Sequence, residues 1–217
     1  MYILGKNIYF PPPSSADENG LLAIGGDLSS ERLIYAYQNG IFPWFNPGEP
    51  FIWYCPPERM VLYFDELKVS KSMKQLIRSD RFELTYNENF TEVIRNCKTI
   101  YRPDQGGTWI TDEMERAYIE LHYKGFAKSV EVWENGVLVG GLYGIDLGHV
   151  FTGESMFSKV SNTSKLAFVF LCESLKKDNY ALLDCQVYNP HLERLGAREI
   201  PRSEFLKVLH KTSHNKT

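Results

Sequence analysis

The segment from residue 128 to residue 157 constrains the fold more than any other part of the sequence. Its first stretch alternates polar and apolar residues, as a strand with one buried face does. The dipeptide Asn135-Gly136 follows and favours the type I′ turn of a two-residue hairpin. A second turn falls at Asp146 to Gly148. The pattern predicts a three-stranded meander, with strands over residues 128–133, 137–143 and 149–157.

Helix and strand patterns flank the meander on both sides. Apolar residues at i, i+3, i+4 and i+7 predict a helix from Phe90, and Thr111 can cap another that ends at Gly125. A break at Gly106-Gly107 separates these two helices. The pattern predicts further elements over residues 72–79 (helix), 82–86 (strand), 162–177 (helix), 180–187 (strand) and 191–195 (helix). The fold class is therefore α/β, or α+β, with a mixed sheet flanked by helices.

The first part of the chain differs in composition from the rest. Eight of the eleven prolines lie in residues 1–57, and residues 1–64 carry three basic against six acidic side chains. The remaining residues carry 21 of each. One helix is clear in the first part, capped by Ser29 or Ser30 and stopped at Gly40. We expect a small irregular N-terminal domain over residues 1–64 and a larger domain over residues 65–217.

Composition excludes several classes of protein. A net charge of −3 excludes a globally basic nucleic-acid coat. The longest apolar run, Leu166 to Cys172, is far shorter than the roughly 18 residues of a membrane-spanning helix. No signal sequence is recognisable, so we expect a cytoplasmic protein. The four cysteines form no CxxC pair, and we expect them to be buried free thiols. Phosphate-loop, dinucleotide-binding and zinc-protease motifs are absent from the sequence, and we expect no metal and no cofactor.

Two short segments carry polar groups inside otherwise buried strands. Alternation places Asp184 and Gln186 on one face of their strand, where they form either a structural network or a pair that holds an amine or hydroxyl. Glu154 shares a face with Thr152 if the last meander strand continues. It is then either an exposed acid at a strand end or part of a site.

Aromatic and basic clusters allow two readings each. Trp44 lies beside proline, and Trp109 precedes a helix cap, so each either plugs a core or stacks on a base. Residues 68–81 carry a local charge of +4, and spacings of three and four put Lys71 and Lys74 on one helical face with Arg78. That face is either simply solvated or a phosphate-binding ridge.

Read together, several long blocks of the sequence resemble the leucyl/phenylalanyl-tRNA–protein transferase family. The resemblance covers residues 10 to 207. Its blocks are residues 20–45 (GLLAIGGDLSSERLIYAYQNGIFPWF), 107–110 (GTWI), 129–144 (SVEVWENGVLVGGLYG), 151–158 (FTGESMFS) with Ser164-Lys165, and 183–206 (LDCQVYNPHLERLGAREIPRSEFL).

The resemblance implies a function and a fold. The family moves a leucyl or phenylalanyl group, and in some cases methionyl, from charged tRNA to the N-terminal amine of proteins that begin with Lys or Arg, which marks them for N-end-rule degradation. Its larger domain is similar to the GCN5-related N-acetyltransferases. A monomer that acts away from membranes is expected. Two other classes stay open, an acyl-CoA-dependent N-acyltransferase and a non-catalytic peptide- or RNA-binding module.

The resemblance also implies roles for individual residues. Asp184 and Gln186 would be the catalytic pair, Glu154 would hold the acceptor, and Asn189 would support them by hydrogen bonding. Asp184 would hold the geometry of Gln186 or accept the proton by relay. The tRNA adenosine would lie against Trp44, Trp109 and Tyr118, and the acceptor stem against Lys71 and Lys74. The donor side chain would enter an apolar pocket lined by Leu142, Met156, Leu171 and Leu175; leucine at three of these positions leaves the preference for Leu, Phe or Met open.

Overall fold

The computed structural model describes residues 2–100 and 109–211, which form a mixed α/β fold. The predicted Gly106-Gly107 break lies outside the described residues. The strands are β1 (Tyr2–Leu4), β2 (Leu21–Gly25), β3 (Phe42–Pro43), β4 (Ile52–Tyr54), β5 (Glu58–Leu62), β6 (Glu83–Tyr86), β7 (Ala127–Glu134), β8 (Val137–Asp146), β9 (Val150–Ser158), β10 (Leu182–Gln186) and β11 (Arg198–Pro201). The helices are α1 (Ser30–Gln38), α2 (Lys71–Ile77), α3 (Phe90–Thr99), α4 (Asp112–Tyr123), α5 (Thr163–Lys177), α6 (Pro190–Arg194) and α7 (Arg202–Leu209).

The larger sheet has seven strands in the order β11-β5-β10-β9-β8-β7-β6. The predicted meander is confirmed as β7, β8 and β9, which pair antiparallel. Asn135 and Gly136 both have positive φ angles, 51° and 74°, as a type I′ turn requires. Strand β10 then pairs parallel to β9 and antiparallel to β5, so the sheet is mixed.

The N-terminal region contains a second sheet that the sequence analysis missed. Its four strands run in the order β1-β2-β4-β3. They are only two to five residues long, which is too short for alternation to be visible in the sequence. Strand β5 precedes the predicted domain division at residue 64 but lies inside the large sheet. The division itself stays a prediction.

Helices α1 and α4 begin at capping residues that the sequence predicts. Ser29 Oγ accepts the backbone N–H of Arg32 at the start of α1, and Thr111 Oγ1 accepts that of Met114 at the start of α4. Helix α5 packs across the sheet with eight buried residues, as its apolar sequence predicts. It packs against β7, β8 and β9, which positions the site described below.

Two predictions from composition can be compared with the structure. All four cysteines lie in the described residues, where they are buried and form no disulfide. Within the part of the chain that the structure describes, no helix combines the length and apolar character needed to cross a membrane.

Candidate active site

A cavity of about 840 Å³ opens where the small sheet meets the larger one. Strand β3 and the loop after it form one side, strands β8, β9 and β10 form the floor, and helices α5 and α6 close the other side. The lining is apolar except for a few convergent polar side chains, which is the usual character of a small-molecule site. The lining residues include Trp44, Trp109, Leu142, Glu154, Met156, Phe168, Leu171, Leu183, Cys185, Gln186, Asn189 and Leu192.

The cavity lies where two parallel strands separate. Pairing between β9 and β10 ends at Thr152 and Asp184, although β9 continues for six more residues. Just beyond that point a side-chain hydrogen bond replaces the backbone ladder, because Gln186 Nε2 donates to Glu154 Oε1 at 2.8 Å. The separation exposes both side chains to the cavity. Polar groups that would otherwise be buried inside a sheet are thereby free to meet a substrate.

The chain at the end of β10 leaves regular strand geometry. Gln186 has a φ of +65°, a left-handed conformation that is strained for a residue other than glycine, and the register against β5 shifts between Asp184 and Gln186. The alternation of residues in the sequence predicts that Asp184 and Gln186 share one face of the strand, and this prediction is wrong. Gln186 lines the cavity with Leu183 and Cys185, whereas Asp184 does not.

Asp184 is fully buried behind the cavity wall, where it faces Arg59. Arg59 Nε and Nη2 each donate to one carboxylate oxygen at 2.7 Å. Thr152 Oγ1 donates to Oδ2, and the backbone N–H of Gln186 donates to Oδ1 at 2.9 Å. The carboxylate therefore holds the left-handed backbone of Gln186 through this hydrogen bond.

Arg59 is a site residue that the sequence analysis missed. Besides its ion pair, it donates from Nη1 to the carbonyl of Gly40 at 3.1 Å and lies between the rings of Phe42 and Phe205. It thereby ties the start of the chain segment that carries Trp44 to strand β10. The only local signal was a charged residue beside the apolar run Met60–Leu62, and its partner lies 125 residues away.

Glu154 lies at the cavity wall with neutral hydrogen-bond partners. Burial raises the pKa of Glu154 to about 7, while hydrogen bonds from tyrosine hydroxyls oppose that rise. Tyr118 donates to Oε2 at 3.1 Å, and the hydroxyls of Tyr118 and Tyr37 are hydrogen-bonded to each other. The resemblance placed Tyr118 beside adenosine, but its side chain is completely buried and faces Glu154 instead. The sequence analysis did not identify Tyr37 as a residue of the site.

Apart from Tyr118, the predicted aromatic and apolar residues gather at the cavity with one exception. Trp44 is 45% exposed at the mouth, and Trp109 is partly buried. Leu142, Met156 and Leu171 line the wall. Leu175 does not, because it lies one helical turn beyond Leu171 and packs in the core under α5. Phe168 takes a place in the wall that the sequence analysis did not assign.

The remaining predicted residues lie at or outside the mouth. Asn189 lines the cavity, and its Oδ1 caps α6 by accepting the backbone N–H of His191 at 2.8 Å. Lys71 and Lys74 are exposed on α2, and neither lines the cavity. The described part of the chain holds no group of three or more His, Cys, Asp or Glu side chains suited to a metal ion.

Comparison of the sequence with known proteins assigns the chain to a family. The family model described as leucyl/phenylalanyl-tRNA protein transferase matches residues 61–210, and the model of that family's N-terminal domain matches residues 26–57. Proteins of that name from Flavobacterium johnsoniae and Flavobacterium psychrophilum are 65% and 57% identical. Those alignments cover 96% and 97% of this chain, and 99% and 100% of the relatives.

Solved structures give more distant likenesses. The structure of L-PGS from Bacillus licheniformis is 12% identical with a TM-score of 0.44, covering 78% of this chain and 54% of that one. A GCN5-related N-acetyltransferase from Kribbella flavida is 12% identical with a TM-score of 0.40, covering 83% of this chain and 63% of that one. The assignment depends instead on the family model, which spans well over half of the chain, and on the close relatives. The protein is a transferase that belongs to the leucyl/phenylalanyl-tRNA protein transferase family.

Proposed function

We propose that this protein transfers leucine or phenylalanine, and also methionine, from charged tRNA to the N-terminal amine of proteins that begin with Lys or Arg. The names of its close relatives support aminoacyl transfer. The observation that carries the proposal is the Gln186–Glu154 hydrogen bond at the gap between β9 and β10, beside an apolar wall. One cavity thus offers a polar centre and a place for an apolar side chain.

The donor side chain fits the apolar wall. The donor side chain would contact four apolar residues of this wall, Leu142, Met156, Phe168 and Leu171. None of them carries a charge that would favour a polar amino acid. A pocket of this kind separates apolar side chains by only about 1 to 3 kcal/mol for each methylene. Several apolar donors are therefore accepted. Trp44 and Trp109 supply rings at the same cavity on which the terminal adenosine can stack.

The reaction needs little beyond positioning and proton transfer, because an aminoacyl ester is already activated. The acceptor nitrogen attacks the ester carbonyl, the C–N bond forms, the C–O bond to the ribose breaks, and the ribose oxygen leaves with a proton. The attacking nitrogen must lose one proton. Glu154, whose pKa is raised to about 7, can accept it near neutral pH.

Gln186 orients the reacting groups instead of acting as a base, since an amide is hardly basic. Its Nε2 holds Glu154 Oε1, and its left-handed backbone is fixed by Asp184. The burial of Asp184 and its full set of partners support the holding role over a proton relay. Asn189 lies at the same cavity and supports the substrate by hydrogen bonding.

Recognition of the two macromolecules uses opposite charges. An ionised Glu154 attracts the ammonium or the basic side chain of the acceptor. Lys71 and Lys74 present two cations on the exposed face of α2, and no carboxylate in the described residues pairs with either. These two lysines bind phosphates of the acceptor stem. The amino acid transferred to its N-terminus marks the modified protein for degradation by the N-end rule.

The test incubates the protein with radiolabelled leucyl-tRNA and a peptide that begins with Arg. We expect incorporation that ribonuclease abolishes, and none into the same peptide with an acetylated N-terminus. The Glu154→Ala variant should lose most of the turnover. Incorporation that ignores ribonuclease and requires coenzyme A would instead support an acyl-CoA-dependent enzyme. No incorporation from any donor would leave only a binding function.

A further inference from the structure

A group of three basic side chains lies on the two helices that close one side of the cavity and has no role in the chemistry described above; none of the three is among the residues that line the cavity. It consists of Lys165 in the first turn of α5 and of His191 and Arg194 on α6, and is called the rim patch below. Lys165 and Arg194 come from separate helices. Both helices also contribute to the cavity lining, through Phe168 on α5 and Leu192 on α6.

Helical spacing directs the rim patch toward the cavity. Lys165 precedes Phe168 by three residues, so the two share one face of α5. Since Phe168 lines the cavity, Lys165 extends the same face toward the mouth. His191 and Arg194 are likewise three residues apart, and His191 lies between two lining residues, Asn189 and Leu192.

The two cations of the rim patch, Lys165 and Arg194, form no salt bridge with a carboxylate in the described residues. Lys165 Nζ donates to the neutral Oδ1 of Asn162, at 3.4 Å. The nearby Glu193 accepts a hydrogen bond from Tyr188. Burial lowers the pKa of His191, and the positive charges of Lys165 and Arg194 add to that effect, so both cations lie close enough to His191 to act on it.

We propose that the rim patch binds phosphates of the single-stranded 3′ end of the donor tRNA, next to the terminal nucleotide in the cavity. The inference rests on the proposed function, since it takes the donor to be a tRNA. Charge complementarity favours the nucleic acid over the acceptor, because an acceptor that begins with Lys or Arg is itself cationic and is repelled by the rim patch. Phosphate contacts of this kind position a nucleic acid without reading its sequence.

The rim patch complements the exposed lysines of α2. Lys71 and Lys74 would hold the double-stranded stem, whereas Lys165 and Arg194 would hold the unpaired end that leads into the cavity. Two separate contacts on one rigid ligand raise the overall affinity more than either contact alone. They also fix the direction in which the chain enters, so that its aminoacyl group faces Glu154.

The test measures binding of two short RNA hairpins that imitate the acceptor stem, one with a single-stranded NCCA tail and one without it. We expect the wild-type protein to bind the tailed hairpin at least about fivefold more tightly, and Lys165→Gln/Arg194→Gln to bind both hairpins equally. For the tailed hairpin, the slope of log Kd against log salt should fall by about 1.4, since each single-strand phosphate contact contributes about 0.7.

Matched controls separate this effect from a general loss of charge or of fold. Lys176→Gln/Lys177→Gln removes the same charge at the other end of α5 and should keep the tail preference. Lys71→Gln/Lys74→Gln should weaken both hairpins but keep their difference. A tail with uncharged methylphosphonate linkages should bind the wild-type protein no better than the hairpin without a tail. Unchanged thermal unfolding would show that the rim variant is folded.

The outcomes that would overturn the proposal are also distinct. A rim variant that keeps both the tail preference and the salt slope shows that the rim patch does not bind the RNA end. A rim variant with unchanged RNA binding but an altered KM for the acceptor peptide assigns the patch to the acceptor instead. Because the binding assay requires no turnover, failure of the transfer assay would contradict the proposed function without deciding this point.

Discussion

At the scale of single residues, the site separates two carboxylates by their partners. Asp184 is matched by the Arg59 guanidinium and by two further donors. Among the described residues, Glu154 accepts hydrogen bonds only from neutral donors, and burial raises its pKa to about 7. The first carboxylate is thus suited to hold a structure, and the second to exchange a proton near neutral pH. Environment, and not residue type, assigns the two roles.

Replacing Tyr118 by Phe should move the pH dependence of the reaction to higher pH. Hydrogen bonds from the tyrosines favour the ionised form of Glu154, so removing one raises the pKa of Glu154 further. Because the ionised form accepts the proton, kcat/KM rises with pH and levels off above that pKa; in the variant the rise should occur later, with a similar plateau.

The pH–rate profile, measured with one acceptor peptide throughout, checks this shift. Titration of the peptide's own amine is then common to all the profiles. Tyr123→Phe is the matched control, since Tyr123 lies on the same helix but is 79% exposed. An increase in KM for the donor without a shift of the profile would contradict the prediction. It would instead support a contact between Tyr118 and the terminal adenosine of the tRNA.

The Arg59–Asp184 pair should behave as one unit in unfolding experiments. Either Arg59→Met or Asp184→Asn leaves a buried polar or charged partner unmatched, at a cost of about 3 to 5 kcal/mol for a lost buried partner. The double variant should lose less stability than the sum of the single variants, with an interaction energy of about 1 to 3 kcal/mol.

Urea unfolding of the four proteins measures that interaction energy. The exposed pair Arg198–Glu66 provides the control cycle, for which less than about 1 kcal/mol is expected. The double variant should still turn over slowly, because Gln186 is no longer held by a carboxylate. Additive stabilities would show that the two side chains act independently.

At the scale of elements, the parts that the sequence predicts are those set by local chemistry. The Asn135-Gly136 hairpin needs only two adjacent residues with positive φ, and α1 and α4 need only a capping side chain. Strand β10 breaks its own pattern, because Gln186 adopts a left-handed conformation. That departure depends on Arg59, which is remote in sequence, so no local window contains its cause.

Glycine at position 144 is required by the close approach of β8 and β9. A Cβ there would lie 2.2 Å from the carbonyl oxygen of Thr152 and 2.4 Å from a ring carbon of Phe151, beside a register shift between Tyr143 and Gly144. Gly144→Ala should therefore destabilise the fold by about 1 to 3 kcal/mol or more. It should also lower kcat, since the displaced strand carries Glu154.

Thermal and urea unfolding measure the loss of stability, and the transfer assay measures the loss of turnover. Gly5→Ala is the matched control, because a Cβ there meets no atom within 4 Å and the φ angle is not positive. A Gly144→Ala protein with wild-type stability and activity would mean that the two strands can separate without cost.

At the scale of the whole molecule, one hydrophobic core crosses the predicted domain division. The same cluster contains Leu4 and Trp53 from the N-terminal part and Phe90, Tyr118 and Phe157 from the rest. Composition predicts a change of character near residue 64, but it cannot predict which buried faces meet. The cavity lies between these two parts, so its shape depends on their packing.

A shared core should make the protein unfold as one unit. Single-tryptophan variants can report each part, because Trp53 is buried in the small sheet, where its Nε1 donates to the carbonyl of Gly25, and Trp133 lies on β7 of the large sheet. The urea midpoints and slopes from the two reporters should agree with each other and with far-UV circular dichroism. Two separate midpoints would show independent domains, whereas a single transition means that any substitution in the small sheet also destabilises the cavity that holds Glu154.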